Sequence, residues 1–292
     1  MKIYKQLTNE QYHNFGTDYI SSSFVKSVAK HSISKALEPL EPTQALMFGH
    51  AFHTYMESIP QFEKRFVVFD DTEILEKIKS ERPDISVPSM TRDYKKYKTE
   101  FESNIKEGQT IISLEDMNTI EAMYASTITN KALQYVHQNY TESVKWDEYS
   151  FFTDEEDIYG LKYRVRPDRL LVGQMDGKKL SSQEGSHKRL CILDWKSCQN
   201  ASVKNFRADF WRHRYDLQSA FYCMVLGIPM SDFYYVAIEK NYPYNCCVYA
   251  IGEETQLSAS KELSEVLFRI GEWKKNPSTP QGLPNQHEVT EL

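Results

Sequence analysis

Four apolar residues run straight into an acid, a tryptophan and a lysine at Leu190–Ser197, Leu-Cys-Ile-Leu-Asp-Trp-Lys-Ser. A short apolar run of this kind reads as a buried strand. Side chains alternate along a strand, so Asp194 and Lys196 share one face, about 7 Å apart. Taking a carboxylate and an ammonium out of water is costly, so the pair needs compensation. Upstream, Tyr159–Val172 reads as a second strand with Asp168 at its middle, which completes the pattern D…DxK. Two such carboxylates can hold one or two Mg²⁺ ions, hard cations that take oxygen ligands. Bound there, the ions lower the pKa of a water and neutralise charge on a phosphate. A neighbouring lysine can orient that water or stabilise the developing charge. A salt bridge at a strand end is the commoner meaning of an isolated DxK, so the rest of the chain decides.

The chain has 292 residues, 40% of them hydrophobic and 13% aromatic, enough to bury a sizeable core. No apolar run is long enough to span a membrane. The start, Met-Lys-Ile-Tyr-Lys-Gln-Leu, lacks the apolar core of a signal peptide, so a cytoplasmic protein is expected. The net charge of −6 argues against a protein that coats nucleic acid, yet leaves room for a local basic groove. Five cysteines, none in a CxxC pair, read as free thiols. There is no internal repeat and no clear linker. One domain over 1–292 is expected: a helical part over about 1–140, a core over about 144–252, and a closing helix and tail over 253–292.

Along the chain, Ser21–Ser23 offer an N-cap, and Glu38–Pro42 breaks the helix that follows. A helix from Thr43 carries Gly49 and His53 four residues apart, on one side. A mid-helix glycine costs roughly 1 kcal/mol relative to alanine, so something close, another backbone or a ligand, is expected to require it. His53 by itself is more often a packed, hydrogen-bonded residue than a ligand. Phe62–Asp71 reads as a strand, and Ser113–His137 as a helix capped by Ser113. Val144–Thr153 reads as a strand holding Glu148, and Gly173–Lys188 as a hairpin loop. Ala201–Leu226 is expected to be helical, with Gln218 and Tyr222 on one face. Phe233–Glu239 and Cys246–Ile251 should pair as a hairpin before a helix over Glu253–Lys274.

Taken in order, Gly49-xxx-His53, Glu148, Arg166-Pro-Asp168, Asp194-x-Lys196 and Gln218-xxx-Tyr222 resemble the RecB-like branch of the PD-(D/E)xK nuclease superfamily. More closely, the chain resembles the nuclease domain of RecE-type exonucleases (exodeoxyribonuclease VIII) of phages and prophages. The likeness adds Ile20-Ser-Ser-Ser, Phe48-Gly-His-Ala-Phe-His53, Lys162-x-Arg-x-Arg-Pro-Asp168 and Val236-Ala-Ile-Glu-Lys240, and spans most of 18–240. It implies an α/β fold with a central mixed sheet flanked by helices. It also implies that Asp168, Asp194, His53 and the Trp195 carbonyl hold Mg²⁺, for which Mn²⁺ substitutes. Lys196 would position or activate the attacking water, and Glu148, Gln218 and Tyr222 would sit around the site, holding Lys196 or DNA. The implied activity is degradation of linear double-stranded DNA from its ends, 5′ to 3′, for recombination. A single-strand annealing partner and a ring-like homotetramer are implied too. Two departures from the pattern are Asp194 where many members carry Glu, and a long loop between Asp168 and Asp194. Arg164, Arg166, Lys204, Arg207, Arg212 and Arg214 flank the expected site and are the DNA-binding candidates.

Two other readings stay open. One is a RecB/Cas4-like nuclease of other polarity, or an endonuclease; the cysteines are badly placed for the four-cysteine cluster many such enzymes carry. The other is a non-catalytic DNA-binding protein on a nuclease scaffold.

Overall fold

The computed structural model describes residues 1–4, 7–15, 18–39, 43–140, 145–174 and 188–277. Strands β1 (Lys2–Tyr4) and β2 (Tyr19–Ile20) flank helix α1 (Asn9–Asn14) and are followed by α2 (Ser22–Lys30) and α3 (Ile33–Ala36). Helices α4 (Gln44–Glu57) and α5 (Ile59–Arg65) lead into β3 (Phe66–Phe69), then α6 (Thr72–Glu81), α7 (Arg92–Ser103) and β4 (Thr110–Ser113). Next come α8 (Leu114–Ile128), α9 (Lys131–Asn139) and the strands β5 (Lys145–Asp147), β6 (Ser150–Phe152), β7 (Lys162–Val165), β8 (Arg169–Gln174) and β9 (Lys188–Cys198). Helices α10 (Val203–Arg212) and α11 (Tyr215–Leu226), strands β10 (Phe233–Glu239) and β11 (Cys246–Ala250), and α12 (Glu253–Lys275) close the chain.

The central sheet has the order β11-β10-β9-β8-β5. Strand β10 runs parallel to β9, while β8 pairs antiparallel with β9, Arg169 opposite Leu193. Alternation along β9 separates two cores. Ile192 packs with α2, α11 and α12 on one face, and Cys191, Leu193 and Trp195 pack with α4, α8 and α9 on the other. Asp194 and Lys196, in phase with Ile192, therefore face α11. A second sheet, β1-β6-β7-β2, joins N-terminal strands to the middle of the chain. Among the described residues no helix is long and apolar enough to cross a membrane.

Several expected elements are divided. Val144–Thr153 is not one strand: β5 and β6 belong to different sheets, and Glu148 between them takes φ 53°, a left-handed turn that swings the chain from one sheet to the other. Tyr159–Val172 is likewise split. Pro167, which has no N–H to give a ladder, falls between β7 and β8, so Asp168 stands at the mouth of β8 and not mid-strand. Phe62–Asp71 begins as the last turn of α5. Asn130 caps α9 through its side chain and divides the helix expected over Ser113–His137. Arg214, also left-handed at φ 53°, divides α10 from α11. The β10–β11 hairpin, α12 and the Ser113 cap follow the sequence reading. Residues 175–187, most of the expected hairpin loop, lie outside the described residues.

Candidate active site

Asp168 and Asp194 meet because β8 and β9 are antiparallel neighbours, one residue beyond the Arg169–Leu193 pair. Asp168 accepts the Trp195 N–H at 2.8 Å and lies 3.2 Å from His53 Nδ1. In an extended strand the N–H and C=O of a residue point to the same edge, so the Trp195 carbonyl is directed to the same side as Asp168. His53 arrives from the middle of α4, whose N-terminus is set by the Thr43 side chain accepting from the Leu46 N–H. Burial pushes Asp168 upward, but the His53 charge and hydrogen bond, with Lys196 and the Trp195 N–H, carry it below the ordinary carboxylate range. Burial pulls His53 down, and Asp168 more than offsets this, so the imidazole is held above its usual value.

Asp194 is fully buried. It accepts Gln218 Nε2 at 2.6 Å and forms a close ion pair with Lys196. Burial raises its pKa to about 6 against the opposing pull of Lys196. For Lys196, burial lowers the pKa, and the Asp194 carboxylate overcomes that and holds the ammonium protonated. The Lys196 ammonium also lies 4.8 Å from the Tyr215 ring centroid and 5.8 Å from that of Tyr235.

Two further residues complete the centre. Glu57 stands one helical turn after His53, and His53, Glu57 and Asp168 bring their ligand atoms within 4.8 Å of one another. Burial, then the charges of Glu148, Asp168 and Asp147, raise Glu57 far above the carboxylate range; it shares a hydrogen bond with Glu148. Its Oε1 is buried with no hydrogen-bond partner. The His53-xxx-Glu57 spacing was a signal available in the sequence, since residues four apart share a helix face. The second residue is Lys26 of α2, which donates to Gln218 Oε1 at 3.3 Å. Burial and the repulsion of Lys196 lower Lys26 to about 8, against the pull of Asp194, Asp168 and Asp216. A lone lysine on an amphipathic helix gives no such signal.

Glu148 does not touch Lys196. Its backbone N–H donates to the Asp168 carbonyl at 3.2 Å and its carboxylate faces Arg65 at 3.6 Å. Tyr222 donates to the Arg166 carbonyl at 3.1 Å, fixing the backbone just before Pro167 and Asp168. Of the six basic candidates, three are committed to partners inside the chain. Arg164 donates to the carbonyls of Tyr12 and His13, and Arg166 to Ser150 Oγ and the Leu7 carbonyl. Both stack on the Tyr12 ring, at 5.1 and 4.1 Å. Arg214 bridges Asp216 and Glu262. Lys204, Arg207 and Arg212 are exposed on α10, Arg212 with Asp209 at 3.3 Å. A Cβ on Gly49 would meet nothing within 4 Å, so no part of the described chain requires that glycine.

The donor set suits a hard divalent cation: carboxylate oxygens, one imidazole, and no thiolate. The orphaned Glu57 Oε1 beside His53 and Asp168 is the position such an ion would satisfy.

Comparison with known proteins gives two findings. A family model described as a PDDEXK-like domain of unknown function (DUF3799) matches residues 20–285. A crystal structure of a protein from Eubacterium rectale, named provisionally as an exonuclease, superposes with a TM-score of 0.53 at 15% identity, covering 99% of this chain and 96% of that one. At that identity the likeness shows the fold alone. No curated protein matches.

Proposed function

The chain belongs to the PDDEXK-like DUF3799 family, and from that premise we propose that it is a metal-dependent deoxyribonuclease that degrades linear double-stranded DNA from its ends. Its architecture, a mixed sheet flanked by helices with the acidic centre at the mouth of β8, is the PD-(D/E)xK fold. The observation that supports the nuclease reading best is the convergence of His53, Asp168, Asp194 and Lys196 from α4, the β7–β8 junction and β9.

His53, Glu57, Asp168 and Asp194, with the Trp195 carbonyl, are the residues that would hold Mg²⁺ or Mn²⁺. Such an ion, when bound, supplies an activated water and neutralises phosphate charge. The chain's own groups do the rest. Asp194 favours the protonated form of Lys196, which suits the ammonium to donate to the attacked phosphate or to orient its water. Gln218 holds Asp194 Oδ1 and thereby sets the direction of the carboxylate that Lys196 pairs with. Tyr222 and the Glu148 N–H clamp the backbone on either side of Asp168. Degradation 5′ to 3′, an annealing partner, a recombination role and a homotetramer are carried by the family resemblance read in the sequence.

Linear and covalently closed duplex DNA offered side by side with Mg²⁺ tests the end requirement. Linear duplex should be degraded irrespective of sequence while closed circles survive, since phosphate contacts fix position without reading bases. Discrete fragments from the closed circle would mark an endonuclease.

A further inference from the structure

A cleft of about 490 Å³ opens between α10, the end of β11 and the start of α12, lined by Phe206, Arg207, Phe210, Trp211, Tyr235 and Tyr249. Its size falls within the range of about 300–1,000 Å³ in which small ligands are held. We propose that this cleft takes a nucleobase of a single DNA strand running from the reacting phosphate, a proposal that rests on the nuclease reading above.

Three observations support it. The lining is aromatic: half-buried Phe210 and Tyr249 are backed by buried Tyr235 and Phe206, Phe206 stacking on Tyr249 with centroids 4.8 Å apart and Phe210 meeting Tyr235 edge-on at 5.7 Å. Trp211 at the mouth is 45% exposed, although burying an indole is favourable. Second, the lining carries the exposed Arg207 guanidinium, which has no carboxylate partner among the described residues, with Glu254 on α12 as the acid in the lining. Lys204, also exposed, lies one turn earlier on α10, outside the cleft lining. Third, the cleft adjoins the proposed site through a shared residue. Tyr235 lines it and also lies beneath Lys196, at 5.8 Å, and it stacks on Tyr215, over which Lys196 sits. Aromatic faces beside a cation are how single strands are held without sequence preference, the bases stacking while the cation meets phosphate.

The test uses the full chain carrying Lys196→Ala and follows tryptophan emission. Trp195 is buried and Trp146 and Trp273 are half-buried, so Trp211 dominates the response to added solute. A short oligothymidylate should quench the emission saturably, and an abasic strand of the same length should not. Trp211→Phe should abolish the quench and bind within about twofold, whereas Trp211→Ala should weaken strand binding about tenfold, as loss of one stacked base predicts. Equal binding of the two strands, with Trp211→Ala unchanged by fluorescence anisotropy, would overturn the cleft assignment. So would emission that shifts with protein concentration alone, the mark of a second copy seated there. If the wild-type chain still cuts DNA with Mg²⁺ in that case, the nuclease reading stands by itself; if it cuts no DNA, both fall.

Discussion

The Lys26 ammonium on α2 reaches Gln218 on α11, 192 residues away in sequence, and by occupying Oε1 it fixes which end of the amide faces Asp194. The order Lys26–Gln218–Asp194–Lys196 thus places a carboxylate between two cations, with a neutral amide separating it from one of them. Lys26→Met should leave Gln218 free to flip and lower turnover, with little change in metal affinity because Lys26 is not a ligand. Lys26→Arg should restore much of the rate. Paired measurements of cleavage and metal titration distinguish this from simple unfolding.

The same lysine has a pH signature. Its folded pKa, about 8, is depressed below the ordinary lysine value of 10.5. Between those values the unfolded chain holds the proton and the folded chain does not, so this group makes stability rise with pH over that window. Turnover should instead fall as pH passes about 8 and the Gln218 anchor loses its charge. Lys26→Met should remove the stability rise, and Lys26→Arg should move the alkaline limb of the rate profile upward. A rate profile unchanged in Lys26→Arg would separate Lys26 from the site.

His53 and Glu57 make metal binding a proton-coupled event. Both are raised in the metal-free protein, His53 by Asp168 and Glu57 by burial and its acidic neighbours. A cation needs neutral imidazole and ionised carboxylate, so its arrival should expel protons. Calorimetric titration with Mn²⁺ in buffers of different ionisation enthalpy should report this release. Glu57→Gln should reduce both the release and the affinity. His53→Ala should weaken metal binding; a loss of folding stability alone would mark His53 as a packed residue.

Arg166 and Arg207 should respond oppositely to removal. Arg166, just after β7, ties to β6 through Ser150 and to the N-terminal segment through Leu7 and Tyr12, so Arg166→Ala should cost about 1–3 kcal/mol of stability, read by urea denaturation. Arg207→Gln should leave stability within about 0.5 kcal/mol and flatten the salt dependence of DNA binding.

Gly49 offers a cleaner contrast. With nothing within 4 Å of an added Cβ, Gly49→Ala should stabilise α4 by up to about 1 kcal/mol. A matching fall in DNA cleavage would show that the open side of α4 is needed by substrate.

What the sequence disclosed follows from which signals are local. The β9 run announced both its strand and the shared face of Asp194 and Lys196, because alternation is a property of the strand itself. Helical spacing placed His53 with Gly49 and Gln218 with Tyr222 on one face each, and the family resemblance alone attached a role to them. The split of Val144–Thr153 between two sheets was not, since a single left-handed residue at Glu148 decides it and nothing in its side chain demands that conformation. Arg164 and Arg166 looked like phosphate ligands because an arginine's partners, here backbone carbonyls of Tyr12, His13 and Leu7, are set by tertiary packing. Lys26 escaped for the same reason.

Whether the DxK pair drives metal-dependent phosphodiester hydrolysis is read by one assay: cleavage of linear duplex DNA by wild type and Lys196→Ala, each with Mg²⁺, Ca²⁺ or EDTA, alongside Mn²⁺ titration of both proteins. Wild type should cut with Mg²⁺, do little with Ca²⁺, whose larger and looser coordination shell does not hold an in-line geometry, and be silent in EDTA. Lys196→Ala should bind Mn²⁺ about as well and cut nothing. Undiminished cleavage in EDTA, or near wild-type rates from Lys196→Ala, would exclude hydrolysis by the DxK pair.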